Sequence, residues 1–281
     1  MSVVLVPTEI AKGVQMLSLR TPTLPPATHT NAYLFGTDEL LLIEPASADS
    51  AEIERICAWV ETKLDAGARL VGIFLTHHHH DHMAGAARVS ARLRAPLWAH
   101  VETARRLPKG LAVSRELNDG EVLALSEHHR LEVLHTPGHA PGHLCLLDHA
   151  TRVLVAGDMV AGVGSILIEP GDGDMVAYLA SLTRMDAQNA ALLLPAHGLP
   201  IADARAKLHG YVAHRLAREA KVLAALRQTE GPASLEQLLP VAYADTPQMA
   251  WPLAKLALEA HLIKLEQEAR VARQGRSFRA L

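Results

Sequence analysis

The sequence predicts an α/β fold with a large sheet component, and three observations support this. Short apolar runs of strand type recur between Asn31 and Pro195, and segments with helical periodicity lie between them. The chain has 281 residues, of which 49% are hydrophobic, so it can form one large domain and a smaller one. From Asp203 onward the strand-like runs give way to a long helical stretch, which predicts a separate C-terminal module.

The predicted elements alternate along the chain. In order they are paired strands at 31–36 and 40–45, an amphipathic helix at 48–67, a buried strand at 68–76, a helix at 84–93, strands at 121–125, 130–135, 144–148 and 152–158, a helix at 174–185 and a strand at 191–198. The helical stretch after Asp203 ends at the breaker TEGPAS. The predicted boundaries are therefore 1–202 for the first domain, 203–228 for a linker helix and 229–281 for the C-terminal module.

Composition excludes several classes. No apolar run approaches the roughly 18 residues that span a bilayer, and the opening residues lack the features of a signal peptide. We therefore expect a soluble cytoplasmic protein with no membrane partner. Cys57 and Cys145 form no CxxC pair and lie in apolar surroundings, so we expect both to pack in the core.

Potential metal ligands follow four of the predicted strands. The segment HHHHDH (77–82) follows one strand, HTPGHAPGH (135–143) another, Gly157-Asp158 a third, and PAHG, with His197, the last. Ligands of α/β sheets gather beyond the carboxyl ends of strands, so these four segments are expected to converge.

The histidine-rich segment has the spacing for metal binding. Side chains alternate along an extended loop, so His77 and His79 are expected to point to one side and could share an ion. Asp81 and His82 follow where the chain turns into a helix and could serve a second ion. Imidazole and carboxylate ligands suit divalent metals: zinc is the default, and iron or manganese would fit the same ligands.

The ordered motifs THxHxDH, TPGH, GD and PAHG resemble those of the metallo-β-lactamase superfamily, whose members are αββα metallohydrolases. The resemblance covers residues 14–200 and implies an αββα sandwich. It also implies a first metal held by His77, His79 and His139, a second held by Asp81, His82 and His197, and Asp158 bridging the two. One departure is Glu44, where relatives usually carry Asp; we expect Glu44 to lie outside the ligand set.

The C-terminal residues 203–281 resemble, less specifically, the linker helix and winged-helix module of a branch of this superfamily that includes endoribonucleases and thioesterases. True β-lactamases end without such a module. The resemblance therefore does not imply hydrolysis of antibiotics.

The two metals imply a hydrolytic mechanism. Two cations about 3.5–4 Å apart can hold a bridging hydroxide, because coordination lowers the pKa of water from about 15.7 toward 7. Asp158 would bridge and orient the ions and Asp81 would bind the second, so these two are the predicted catalytic residues. No GxSxG motif is present, which disfavours a serine nucleophile.

Three function classes remain open at this point. They are a hydrolase of a small ester or thioester, or of single-stranded RNA; a mononuclear iron dioxygenase acting on persulfides; and a nucleic-acid-binding protein. Residues 203–281 carry 12 Lys and Arg against 8 Asp and Glu, a net +4, which leaves −7 for the rest of the chain because the total is −3. An acidic first domain disfavours phosphate binding, so a small acyl substrate is the preferred partner and RNA the alternative. A homodimer through the tail also remains open.

Several other residues have predicted roles. His135 and His143 flank the TPGH motif and could orient a ligand or be structural, while His78, His80 and His100 are not expected to be ligands. His128 and His129 are predicted to be solvated in a polar turn. Asp172 and Asp174 are predicted to cap the following helix, and the loop between Asp158 and that helix is predicted to form a wall of the substrate cleft.

Overall fold

A computed structural model describes residues 3–126 and 128–281. These described residues contain three sheets. The seven-stranded sheet, with its strands in chain order, contains Thr8–Ala11 (β1), Val14–Arg20 (β2), His29–Phe35 (β3), Glu39–Ile43 (β4), Arg69–Phe74 (β5), Leu97–Ala99 (β6) and Arg115–Glu116 (β7). The five-stranded sheet has the order β12-β11-β10-β9-β8 and contains Val122–Leu125 (β8), His129–His135 (β9), Leu144–Asp148 (β10), Val153–Gly157 (β11) and Leu192–Pro195 (β12). The three-stranded sheet has the order β13-β15-β14 and contains Ala233–Ser234 (β13), Val271–Gln274 (β14) and Ser277–Ala280 (β15).

Eight α-helices connect or cover these sheets in the described part of the chain. They are Ser50–Asp65 (α1), His80–Met83 (α2), Ala86–Leu93 (α3), Val101–Ala104 (α4), Met175–Ala187 (α5), Ala204–Arg227 (α6), Leu235–Ala242 (α7) and Trp251–Gln267 (α8). Not one of them is both long and apolar enough to cross a membrane.

The two large sheets pack face to face because their strands alternate between two buried faces. In β4, Leu41 points into the core between the sheets, where it meets residues such as Val133 of β9. Its neighbours Leu40 and Leu42 point the other way and pack under α1 and α3. The outer face of the five-stranded sheet packs in the same manner against α5 and α6. The result is the predicted αββα sandwich.

The chain after α6 forms its own core. Apolar residues on the second half of α6, including Val222 and Leu226, pack with α7, α8 and the three-stranded sheet. An ion pair supports this join, because the Lys264 ammonium of α8 lies 2.6 Å from the Glu219 carboxylate of α6 and both side chains are buried.

The sheets determine where the metal-ligand candidates lie. Strand β9 is antiparallel to β10 and β10 is antiparallel to β11, so β9 runs in the direction of β11, to which β12 is parallel. The carboxyl ends of these three strands therefore lie at one edge of the five-stranded sheet, followed by His139, Asp158 and His197. The histidine-rich segment follows β5 of the facing sheet.

Both cysteine thiols are free and buried, as predicted. The prediction for His129 is wrong: it lies in β9 rather than in a solvated turn, and it is buried. Its Nδ1 lies 2.9 Å from the carboxylate of Asp148, a partner 19 residues away that local sequence does not reveal.

Candidate metal centre

The four predicted segments do converge. His77 and His79 lie beside His139, with the first two joined by a 3.0 Å contact from His77 Nε2 to His79 Nδ1. One nitrogen from each of these three rings falls within 4.8 Å of the others. The ligand atoms of Asp81, His82 and His197 form a second such group. These two groups are the two sets that the sequence resemblance implies.

Asp158 lies between the two groups. Its Oδ2 is 3.4 Å from Nε2 of His139 in the first group and 3.5 Å from Nε2 of His82 in the second. Its Oδ1 is 3.3 Å from Nε2 of His197. A carboxylate in this place can contact ions in both groups.

Five of the candidate ligands are histidines. In each of them one ring nitrogen, here called the outer nitrogen, lies within hydrogen-bond distance of a protein oxygen. The pairs are His77 Nδ1 with Thr76 Oγ1 at 2.9 Å, His79 Nε2 with Asp172 at 2.8 Å, His82 Nδ1 with Glu44 at 2.5 Å, His139 Nδ1 with the Leu167 carbonyl at 2.8 Å, and His197 Nδ1 with the His29 carbonyl at 3.0 Å. Carbonyl and carboxylate oxygens only accept, so in four of the pairs the ring nitrogen donates. In its neutral form each of these rings then presents a lone pair on the nitrogen that faces the centre, as a metal ligand must.

Two of the nitrogens that face the centre, and one oxygen of Asp158, lack hydrogen-bond partners in the part of the chain that the structure describes. His82 Nε2, His139 Nε2 and Asp158 Oδ1 are buried side-chain atoms without a hydrogen-bond partner among the described residues. Leaving such atoms unpaired costs about 1–3 kcal/mol each, and more for a charged group. Cations in the two groups would satisfy all three atoms, so the residues present fit divalent metal ions.

The electrostatics of the site fit a cation as well. Burial lowers the pKa of His139 to about 4 and that of His77 well below its usual range, which keeps both rings neutral. Burial acts against the charged form of His82 too, but the carboxylates of Glu44 and Asp158 outweigh it and raise the pKa of that ring. The surrounding carboxylates thus favour positive charge at this point.

Two carboxylates contribute to the site in ways that the sequence did not reveal. Glu44, which was expected to lie outside the ligand set, is in neither group of candidate ligands but contacts the ligand candidate His82, and its other oxygen accepts the Thr76 N–H at 2.7 Å. Asp172 was predicted to cap α5, and this is wrong: Asp174 caps that helix through the Ala177 N–H, while Asp172 contacts His79. Both contacts join residues more than 30 positions apart, so spacing carried no signal of either.

The other histidines divide between exposed and supporting positions. His80 is exposed, and His78 is half-buried with Nε2 at 3.4 Å from Asp172. His143 is buried and accepts the backbone N–H of Asp158 at 3.1 Å, so it supports that residue. His135 contacts the Pro141 carbonyl and stacks on His100, which is the N-cap of α4.

A cavity of about 260 Å³ opens above the centre. Its floor contains candidate ligands, and the loop after Asp158, from Val163 to Glu169, forms one wall, as predicted. The opposite wall is the segment Thr23–Ala27, which sequence analysis did not single out. A small molecule can therefore reach Asp81 and Asp158.

The family comparison agrees with this geometry. Residues 25–197 match the model of the metallo-beta-lactamase superfamily. The chain belongs to the metallo-β-lactamase superfamily. Residues 234–279 match a second model, the beta-lactamase associated winged helix domain. The predicted fold class is thus confirmed, and the prediction of a metal-dependent hydrolase is supported by membership of this superfamily.

Individual superfamily members are similar over much of the chain. A lactamase-like protein, adaB, of Aspergillus niger is 32% identical over 71% of this chain, and the match spans 59% of that protein's length. An atrochrysone carboxyl ACP thioesterase of Aspergillus chevalieri is 29% identical over 86% of this chain and 77% of its own length. A crystal structure of a metallo-beta-lactamase family protein from Thermus thermophilus covers 97% of this chain and 100% of its own, with a TM-score of 0.79 and 24% identity, and it supports the fold alone.

Proposed function

We propose that the protein is a hydrolase with two divalent metal ions, zinc by default, that cleaves a small thioester or ester. His77, His79 and His139 would hold the first ion, Asp81, His82 and His197 the second, and Asp158 both. The observation that carries this proposal is the set of five histidine rings whose outer nitrogens are engaged and whose inner nitrogens face Asp158 or a neighbouring ring.

Bound metals would supply Lewis acidity, which lowers the pKa of water from about 15.7 toward 7 and polarises the scissile carbonyl. The chain's own residues do the positioning. The His143 ring accepts the backbone N–H of Asp158 and so helps to hold the backbone from which this carboxylate reaches the two groups. The apolar side chains of Leu24 and Ile166 at the cavity walls limit the water around the substrate.

The preference for a thioester rests on leaving-group chemistry and on the relatives. A thiolate leaves without a proton, so cleavage of a thioester does not need a side chain that acts as an acid. A relative that spans most of the chain is named an acyl-carrier-protein (ACP) thioesterase. The net charge of −7 on residues 1–202 disfavours an RNA strand.

The division of labour within the chain is part of the same proposal. We assign residues 1–202 to the catalytic domain, 203–228 to the linker helix and 229–281 to the winged-helix-like module. All seven proposed ligands lie in the first of these, so the module would act on substrate binding or assembly rather than on the chemistry.

The test compares three substrates on one preparation of known metal content. An acyl thioester, the matching oxygen ester and single-stranded RNA are assayed at rising salt concentration. We expect the thioester to be hydrolysed fastest. Its rate should change little with salt, because a substrate without phosphates does not depend on salt-sensitive contacts between phosphate and basic side chains.

Two other results would contradict the proposal, and each would identify a different function. Faster RNA cleavage that weakens steeply with salt and disappears in Asp158→Asn would identify an endoribonuclease. A single iron per chain, with oxygen consumed in the presence of a persulfide, would identify a dioxygenase.

A further inference from the structure

A second cavity, of about 250 Å³, adjoins the first, and we call it the α6–α8 groove. It lies between the loop at 165–167, α6 and the C-terminal module. The groove and the metal-site cavity share five wall residues, Leu24, Pro25, Ser165, Ile166 and Leu167. An extended ligand can therefore pass over this shared wall from the metal centre into the groove.

The groove is lined by cations and by no acidic residue among those described. Arg215 and Arg218 project from α6, with His214 beside them. Asp245, the nearest counter-charge to Arg218 at 2.8 Å, lies outside the lining and also pairs with Lys221. The groove thus favours an anionic ligand group, and arginine is well suited to phosphate.

Two polar atoms of the lining residues lack partners in the protein. The Tyr243 hydroxyl and the Nε of Arg215 are buried and have no hydrogen-bond partner among the described residues, and both residues are at least nine-tenths buried. The Arg218 guanidinium lies 4.2 Å from the centre of the Tyr243 ring. Unpaired buried donors are rare because they are costly, so a ligand oxygen at this place would supply a missing acceptor.

The opposite wall of the groove is apolar. It is formed by Leu253, Ala254 and Ala257 of α8, next to Leu24. A ligand that fits has a slender, uncharged chain against this wall, one anionic end at the arginines and its reacting end at the metals.

We propose that the groove binds the phosphopantetheine arm of a thioester substrate, with the phosphate at Arg218, Arg215 and Tyr243 and the sulfur at the metal centre. This inference rests on the proposed thioesterase function and names its substrate class. Coenzyme A and a carrier protein both present this arm, so the groove recognises the chemistry that they share.

The test measures binding rather than turnover. The full-length protein is titrated with 4′-phosphopantetheine and with pantetheine, which has the same thiol and arm but no phosphate. Any contact between the thiol and a metal is common to both, so the ratio of the two dissociation constants isolates the phosphate. We expect phosphopantetheine to bind at least about tenfold more tightly, which corresponds to one charge-assisted contact of about 1.4 kcal/mol.

Two variants with matched controls assign this preference to the groove. Arg218→Gln should remove the preference, whereas Lys221→Gln should keep it, because Lys221 pairs with the same Asp245 but does not line the groove. Tyr243→Phe should weaken the preference without loss of thermal stability, since its hydroxyl has no partner to lose. Tyr211→Phe is the control for loss of a tyrosine hydroxyl. In the wild type the Tyr211 hydroxyl accepts the Ala161 N–H at 3.0 Å.

Equal affinity of the wild type for the two ligands, or equal ratios in Arg218→Gln and Lys221→Gln, would overturn the inference. Either result leaves the proposed function standing if acyl-pantetheine is hydrolysed. If acyl-pantetheine is not hydrolysed but the protein still prefers the phosphorylated ligand, the thioesterase function is wrong and the groove remains a phosphate-binding site. Turnover of one acyl group on coenzyme A and on a carrier protein then distinguishes the two sources of the arm.

Discussion

The Glu44 carboxylate lies 2.5 Å from Nδ1 of His82, and both side chains are fully enclosed. Glu44 sits just after β4 and has a φ of 62°, an unusual value for a residue with a side chain. Its two oxygens accept from the His82 ring and from the Thr76 backbone. The residue therefore joins the end of one strand to the loop and helix that carry Asp81 and His82 of the second group.

Glu44→Gln should weaken metal binding at the second position. A glutamine side chain has one acceptor oxygen and an amide group that cannot accept, so one of the two N–H donors would face another donor. Changes to groups that orient a metal-ligating histidine typically cost 10–100-fold in metal affinity or activity, and we expect a loss in that range. Competition against a chelator, followed by metal analysis, measures it.

Glu54→Gln is the control for Glu44→Gln, because Glu54 is exposed on α1 and pairs only with Arg92 among the described residues. Identical metal retention in the two variants would show that Glu44 does not support a ligand.

Asp172 and Asp174 provide a second matched pair. Asp172→Ala should reduce metal affinity at the first position, because it removes the acceptor of the His79 N–H. Asp174→Ala should leave metal affinity unchanged and cost about 0.5–2 kcal/mol of stability through loss of the α5 N-cap. Chelator competition and thermal unfolding on both variants separate the two roles, and a reversal of the two results would contradict this assignment.

The sequence predicted the strands that end at the site because their apolar runs are uninterrupted and are followed at once by histidine or aspartate. It did not predict β1, β2 and β7, since β7 has only two residues and β2 includes polar residues within its run. The two groups of candidate ligands could be named from motif order. Contacts such as Glu44 with His82 could not, because they depend on how two distant chain segments approach, which spacing alone does not encode.

Asp158→Asn should lower the rate of catalysis while leaving the fold intact. The substitution is nearly isosteric and keeps the backbone N–H that His143 accepts, so thermal unfolding of the metal-free protein should change little. It removes the charge shared by the two groups, and we expect thioester turnover to fall by at least about 100-fold. Asp186→Asn, at a partly exposed pair with His209, is the control. Near-normal turnover by Asp158→Asn would show that Asp158 is not a shared ligand.

Metal removal should destabilise the folded protein. The centre buries Asp158 and His82 with atoms that have no hydrogen-bond partner among the described residues, so we expect ions to bind the folded chain more tightly than the unfolded one. A ligand present at 1,000 times its dissociation constant adds about 4 kcal/mol of stability by mass action. We expect the melting temperature to drop by several degrees after chelation and to recover when zinc is added.

Variants at the two positions show which ion supplies this stability. His139→Ala and His197→Ala each remove one proposed ligand, from the first and second group respectively. Each should reduce the rise in melting temperature that zinc produces, because the mass-action gain depends on the affinity that remains. His80→Ala, on an exposed ring outside both groups, should keep the full rise. A zinc-dependent rise of the same size in all three variants would place the stabilising metal elsewhere in the protein and would remove the main support for the proposed ligand set.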